Sequence, residues 1–203
     1  MRTPIPATAR RVAAAVLVAV AAACLSAPVT ANGAYSLAGV YWGRVAESRV
    51  DLQPPDCAAL WNPQERELAR LFETDRQQRR RVHRCDPILT RVARARAADM
   101  ARRRYFAHVN PDGDGPNIQV TRAGYQLPPF YEHKRKANNV EVILAGDETP
   151  ADAWRGWLRS RHHREQVLGL DRFFADQGDY GVGYVYAPGT RYEHYWVLIT
   201  ARH

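Results

Sequence analysis

Cysteine is scarce in this chain of 203 residues, which has three. Three are too few to staple a fold that lacks a core, so a miniature disulfide scaffold is excluded. Lysine is scarcer: of 29 basic side chains only Lys134 and Lys136 are lysines. In a chain so rich in alanine, that skew reads as codon composition, not as selection for a phosphate-binding surface. Long apolar runs are absent, since the longest, Val12 to Ala23, has about a dozen residues where a spanning helix needs roughly 20. An acidic excess is absent too, with 21 acids against those 29 bases. Together with 46% hydrophobic residues, this excludes an acidic disordered tail, a collagen-like chain and a polytopic membrane protein.

Single-motif enzyme signatures are also missing. There is no HExxH, no GxSxG and no Walker loop, and Gly181-x-Gly183 lacks a third glycine and the strand-turn-helix setting of a dinucleotide site. Beyond residue 31, serine occurs only at Ser36, Ser48 and Ser160.

What is present begins with an export signal. Arg2, Arg10 and Arg11 precede the apolar run, and Val29-Thr30-Ala31 supplies small residues for cleavage, so residues 1–31 read as a signal peptide. The alternative is a lipid anchor on Cys24, which follows three alanines but lacks the usual leucine three positions earlier. The location expected is secreted or periplasmic, with no transmembrane span in the mature form. Loss of residues 1–31 lowers the charge from +8 to +5. Nucleic acid is not an expected partner of such a chain, and Arg79–Arg81 and Arg102–Arg104 read as solvated helix ends.

Export leaves Cys57 and Cys85 as an even pair in an oxidising compartment. A helix from about Asn62 to Arg80 would separate them by ~27 Å. Flanks of about five residues reach at most ~17 Å, so a bridge requires both flanks to fold back along the helix.

Residues 32–62 read as an extended lead-in, and a domain follows over 63–203. Asn62-Pro63 with Glu65 predicts a capped helix start. Asp86-Pro87 starts a second helix with a stripe of Leu89, Val92, Ala93, Ala97 and Met100, ending near Arg104. Turns fill 105–115, a short helix is expected over 116–124, a loop over 125–138 and a short apolar strand or turn from Val140 to Leu144. Thr149 caps another helix, and a further helical piece covers about 162–168. Tyr180, Val182, Tyr184 and Tyr186 alternate with smaller residues, Pro188-Gly189 turns the chain, and the run from Tyr195 to Ile199 returns: a hairpin. The returning strand is apolar on both faces, which calls for cover on both sides of the sheet. Helices first and a hairpin last predict an α+β fold.

Asn110-x-Asp112-x-Asp114-Gly115 matches the start of a calcium loop, but position 12 is Thr121 where a bidentate glutamate is required, so an ordinary turn is expected.

The order of several short patterns is more telling. Leu89, Ala93, Ala97, Asp99-Met100-Ala101 and Tyr105-Phe106-Ala107-His108-x-x-Pro111-Asp112-Gly113 come first. Asn139-Val140-Glu141-x-Ile143-x-x-Gly146, Trp157-x-x-Ser160-x-x-His163-Arg164, Gly181-Val182-Gly183 and Tyr195-Trp196 follow. This sequence resembles the bacterial branch of the CAP superfamily (cysteine-rich secretory protein, antigen 5, pathogenesis-related-1), also called SCP-like, over about residues 63–203. The resemblance implies a three-layer α-β-α sandwich with a small antiparallel sheet between helices and a cleft lined by two histidines and one or two acids. His108, Glu141 and His163 fall on three of the four cleft positions, His163 being preferred to His162 because it directly precedes Arg164. The family's Gly-Glu-Asn reads Val140-Glu141-Val142 here, and the second acid's place is held by Ser160.

Two imidazoles and a carboxylate would suit a zinc site with water in the fourth position. Without metal, Glu141 would favour protonated imidazole in a hydrogen-bonded cluster. Three roles compete. The first is an exported binding or interaction module for a small molecule, lipid or cell-envelope component. The alternative is a zinc-dependent hydrolase or peptidase, with His108 and His163 holding metal, Glu141 as ligand or general base, and Ser160 as a variant nucleophile. The third is a scaffold whose recognition element is loop 125–138 or the lead-in.

Overall fold

The computed structural model describes Cys57 and residues 61–203. The export signal, the Cys24 site and nearly all of the lead-in lie outside the described residues.

Helix α1 (Pro63–Thr74) starts as its sequence dictates: Asn62 Oδ1 accepts from the Glu65 amide at 2.8 Å and Glu65 Oε2 accepts from the Asn62 amide at 3.0 Å. It stops six residues earlier than expected. Gln78 turns back to donate to the Phe72 and Val167 carbonyls, and the buried Arg80 guanidinium donates to the Gln166, Val167 and Gln177 carbonyls. Residues 75–81 are thus stitched to a neighbouring helix instead of prolonging α1. A 12-residue helix is ~18 Å long. The return path is correspondingly longer, and Cys57 and Cys85 meet in a disulfide with Cα atoms 5.9 Å apart.

Cys85 belongs to β1 (Arg84–Cys85), and α2 (Pro87–Arg103) follows. The Asp86 carboxylate accepts from the Ile88 and Leu89 amides, each at 2.8 Å, and Arg104 closes α2 with a left-handed backbone at φ 57°. After α3 (Pro116–Arg122) and loop 125–138 come β2 (Glu141–Ala145), α4 (Pro150–Arg159), α5 (Arg161–Val167) and α6 (Arg172–Ala175). The hairpin strands β3 (Asp179–Tyr186) and β4 (His194–Ala201) end the domain.

The sheet order is β1-β3-β4-β2. β2, β3 and β4 are antiparallel as expected, while β1 adds a parallel edge in register Cys85↔Tyr180. Neither β1 nor α6 is foreseen in the sequence, because two- and four-residue elements carry no period.

β4 divides the interior. Trp196 and Leu198 join Leu68, Phe72, Trp157 and Leu168 in one core, against α1, α4 and α5. Tyr195, Val197 and Ile199 join Leu89, Ala93, Ala97 and Met100 in the other, against α2. This is the three-layer sandwich, and it accounts for a strand apolar on both faces. Gly181 and Gly183 face α2: a Cβ on either would run into the helix backbone, at Leu89–Thr90 and at Ala93–Arg94 respectively. The Gly-x-Gly pattern therefore serves close helix-on-sheet packing.

Loop 125–138 has no regular element but is anchored. Tyr125 and Tyr131 are buried, Tyr125 donating to Asp179 at 2.8 Å, and Asn117 ties the loop through the Glu132 carbonyl and Asn139.

Candidate functional site

The site is organised around Arg96, whose charge sits on the apolar stripe of α2 at only 1% exposure. Its Nε donates to Glu141 Oε2 at 2.8 Å, and Nη2 donates to Glu141 Oε1 at 3.3 Å and to the Ala107 and His108 carbonyls at 2.9 Å. Nη1 donates to the Tyr105 hydroxyl at 2.5 Å. A buried guanidinium is tolerated only when its donors are engaged in this way. Burial alone would lower the Arg96 pKa, but the charge of Glu141 and the hydrogen bonds to it prevail and raise it. Burial, helped by a 2.8 Å bond to Asp99, pushes the Tyr105 phenol up to about 12, so Tyr105 is a neutral donor.

Glu141 opens β2 and is 1% exposed. Asn138 holds its backbone, accepting from the Glu141 amide at 2.8 Å and donating to the Glu141 carbonyl at 2.9 Å. Its Oε1 meets His108 Nδ1 at 2.9 Å. A carboxylate at Nδ1 assigns the proton of neutral His108 to that nitrogen, leaving Nε2 bare. The His108 side chain is 35% exposed, so the ring is open to solvent.

His163 lies on α5 and is partly buried, whereas His162 is exposed. Burial lowers the His163 pKa, and the charges of His108 and then His162 push it the same way. His163 is therefore within electrostatic reach of His108. Ser160, the N-cap of α5, makes no side-chain cap bond and no hydrogen bond to a histidine among the described residues.

A catalytic zinc takes three protein ligands. Here both Glu141 oxygens accept from Arg96 or His108, and the guanidinium already balances the charge that would attract a cation. Among the described residues no three His, Cys, Asp or Glu side chains are grouped to hold a metal ion. The three-donor set of His108, Glu141 and His163 does not fit zinc in this arrangement. Arginines likewise occupy the carboxylates of the Asn110 turn: Arg103 bonds Asp112, while Arg122 and Arg135 clamp Asp114. Asn110 Oδ1 accepts from the Asp112 and Asp114 amides, as in an Asx turn.

Arg96, Asn138 and Tyr105 have no part in the sequence-level site. For Arg96 a signal existed, because position 96 lies four residues after Val92 and four before Met100, on the buried stripe, where an arginine needs a partner.

The profile of the cysteine-rich secretory protein family (CAP) matches residues 82–200, and the chain belongs to that family. The uncharacterised Bacillus subtilis protein YkwD is 28% identical over 122 residues, which are 60% of this chain and 42% of that protein. The chain thus spans less than half the length of that relative. An extracellular SCP-domain protein of Bacillus anthracis shares the fold, with a TM-score of 0.53 at 20% identity over 75% of this chain and 44% of that one. An outer surface protein of Borrelia burgdorferi aligns over 68% of this chain and 88% of its own at 19% identity, with a TM-score of 0.48.

Proposed function

We propose that the chain is exported and acts as a binding module, with His108 and His163 as its recognition groups. The observation that carries this reading is the engagement of Glu141 by Arg96 and His108. A carboxylate balanced by a guanidinium is a poor general base and a poor metal ligand, yet a good clamp for an imidazole. With its proton held on Nδ1 by Glu141, the neutral form of His108 offers a fixed acceptor, Nε2, within electrostatic reach of His163, whose pKa burial lowers. Such a pair suits a hydroxyl or amide donor on a small molecule, lipid or envelope component. Export is supported by residues 1–31 and by the extracellular description of the Bacillus anthracis protein.

The test is titration of the purified protein with soluble peptidoglycan fragments and with detergent-dispersed envelope lipids, following the His108 and His163 ring signals by NMR. Saturable shifts at both rings, lost in His108→Ala at unchanged melting temperature, are expected. Hydrolysis of a peptide, ester or glycan that His108→Ala abolishes without unfolding would contradict the proposal. One zinc per chain, lost in that variant, would also contradict it and restore the hydrolase alternative.

A further inference from the structure

Loop 125–138 is not used by the His108 site, yet it carries both lysines of the chain and the most exposed phenylalanine among the described residues. Phe130 is 58% exposed although its neighbour Tyr131 is buried. It stands over Phe173 of α6, ring centroids 6.4 Å apart, and the Arg202 guanidinium lies 5.6 Å from its ring centre. Phe130, Phe173, Arg172, Asp176 and Arg202 line a groove of about 360 Å³. Leu170, just before α6, is 44% exposed.

Over residues 125–138, residues 171–176 and Arg202, five cations stand against the three acids Glu132, Asp171 and Asp176. Arg202 pairs with Asp176, and Arg135 with Asp114. Lys134, Lys136 and Arg172 are exposed and have no carboxylate partner among the described residues. The remaining acids on these segments are Glu132 and Asp171, and the Asp171 carboxylate caps α6 by accepting from the Phe174 amide. An exposed aromatic ring and unpaired cations a few residues away on the same anchored loop are the pairing that seats a protein at an anionic bilayer. The ring enters the headgroup boundary while the cations meet lipid phosphates.

We propose that loop 125–138 with α6 forms a docking surface for an anionic phospholipid bilayer. It is independent of the ligand bound at His108. Each cation near such a surface is worth about fivefold in partition, and burial of one phenylalanine about tenfold or more. The electrostatic share falls with salt.

The experiment is co-sedimentation of the full chain with phosphatidylglycerol or phosphatidylcholine vesicles at low and high salt. It compares wild type, Phe130→Ser and Lys134→Gln/Lys136→Gln, which share one N-terminus. The proposal expects tighter wild-type binding to the anionic vesicles, a loss of about tenfold or more in Phe130→Ser and of about 25-fold in Lys134→Gln/Lys136→Gln at low salt, and loss of the lysine contribution at high salt. Far-UV circular dichroism should be unchanged, since the substituted side chains are exposed. Equal binding by wild type and both variants would overturn the proposal, as would absence of binding to the anionic vesicles. Displacement by millimolar inorganic phosphate that leaves a Phe130→Ser effect of less than twofold would also overturn it, showing a small-anion site.

Discussion

Arg96 is the residue on which the site depends. Truncating it in Arg96→Met leaves Glu141 buried without its counter-charge, so a loss of about 3–5 kcal/mol in unfolding free energy is expected by chemical denaturation. Replacing both partners, as Arg96→Met/Glu141→Leu, should cost less than Arg96→Met alone. His83 allows a pH test away from the site. Its ring lies edge-on to Phe72 at 5.2 Å, and its pKa is lowered by burial and then by the charge of Arg80. A lowered folded pKa means that the unfolded state binds the proton more readily. The stability contribution is then complete above about pH 6.5 and is lost as the pH falls below it. The fall in melting temperature from pH 7 to pH 5 should therefore be smaller in His83→Gln than in wild type. At this scale the sequence supplied His108, Glu141 and His163 through the family resemblance. Arg96 escaped because charge was read as surface, whereas helical spacing put it inside.

Among the elements, α2 and β3 are coupled most tightly. The two glycines of β3 let the helix backbone rest on the strand, so Gly181→Ala must push α2 away from the sheet. Overpacking of this kind costs about 1–3 kcal/mol or more, and the shift should also move the Arg96 contacts. The expected result is a lower melting temperature accompanied by displaced His108 ring signals. The disulfide acts through a different element. It closes a sequence separation of 28 residues and ties the end of the lead-in to the parallel edge strand. The chain-entropy relation gives about 3.5 kcal/mol for such a loop, so Cys57→Ser/Cys85→Ser should unfold at distinctly lower denaturant than the oxidised protein. The start of α1 was legible in its capping box. Its end was not, because it depends on Gln78 and Arg80 finding carbonyls on segments far away in sequence.

For the domain as a whole, the unbroken apolar run of β4 predicted cover on both faces of the sheet. A strand apolar on both faces has to lie between two cores, and the CAP-family sandwich provides them on opposite sides of the sheet. What sequence could not give was the use of the acids. Asp112, Asp114 and Glu141 all sit in ligand-like patterns, and in the folded domain each is engaged by arginine. An arginine-rich chain thus turns three potential cation ligands, at two candidate sites, into ion pairs, leaving imidazole as the exposed polar group beside Glu141. The most direct test is the protonation pattern of His108, read from long-range proton–nitrogen correlation on histidine-labelled protein at pH 7.5. In its neutral form the ring is predicted to carry its proton at Nδ1 with Nε2 bare, and the pattern should be disturbed in Arg96→Met. A ring protonated at Nε2, with Nδ1 bare or metal-bound, would contradict the clamp on which the proposed binding role rests.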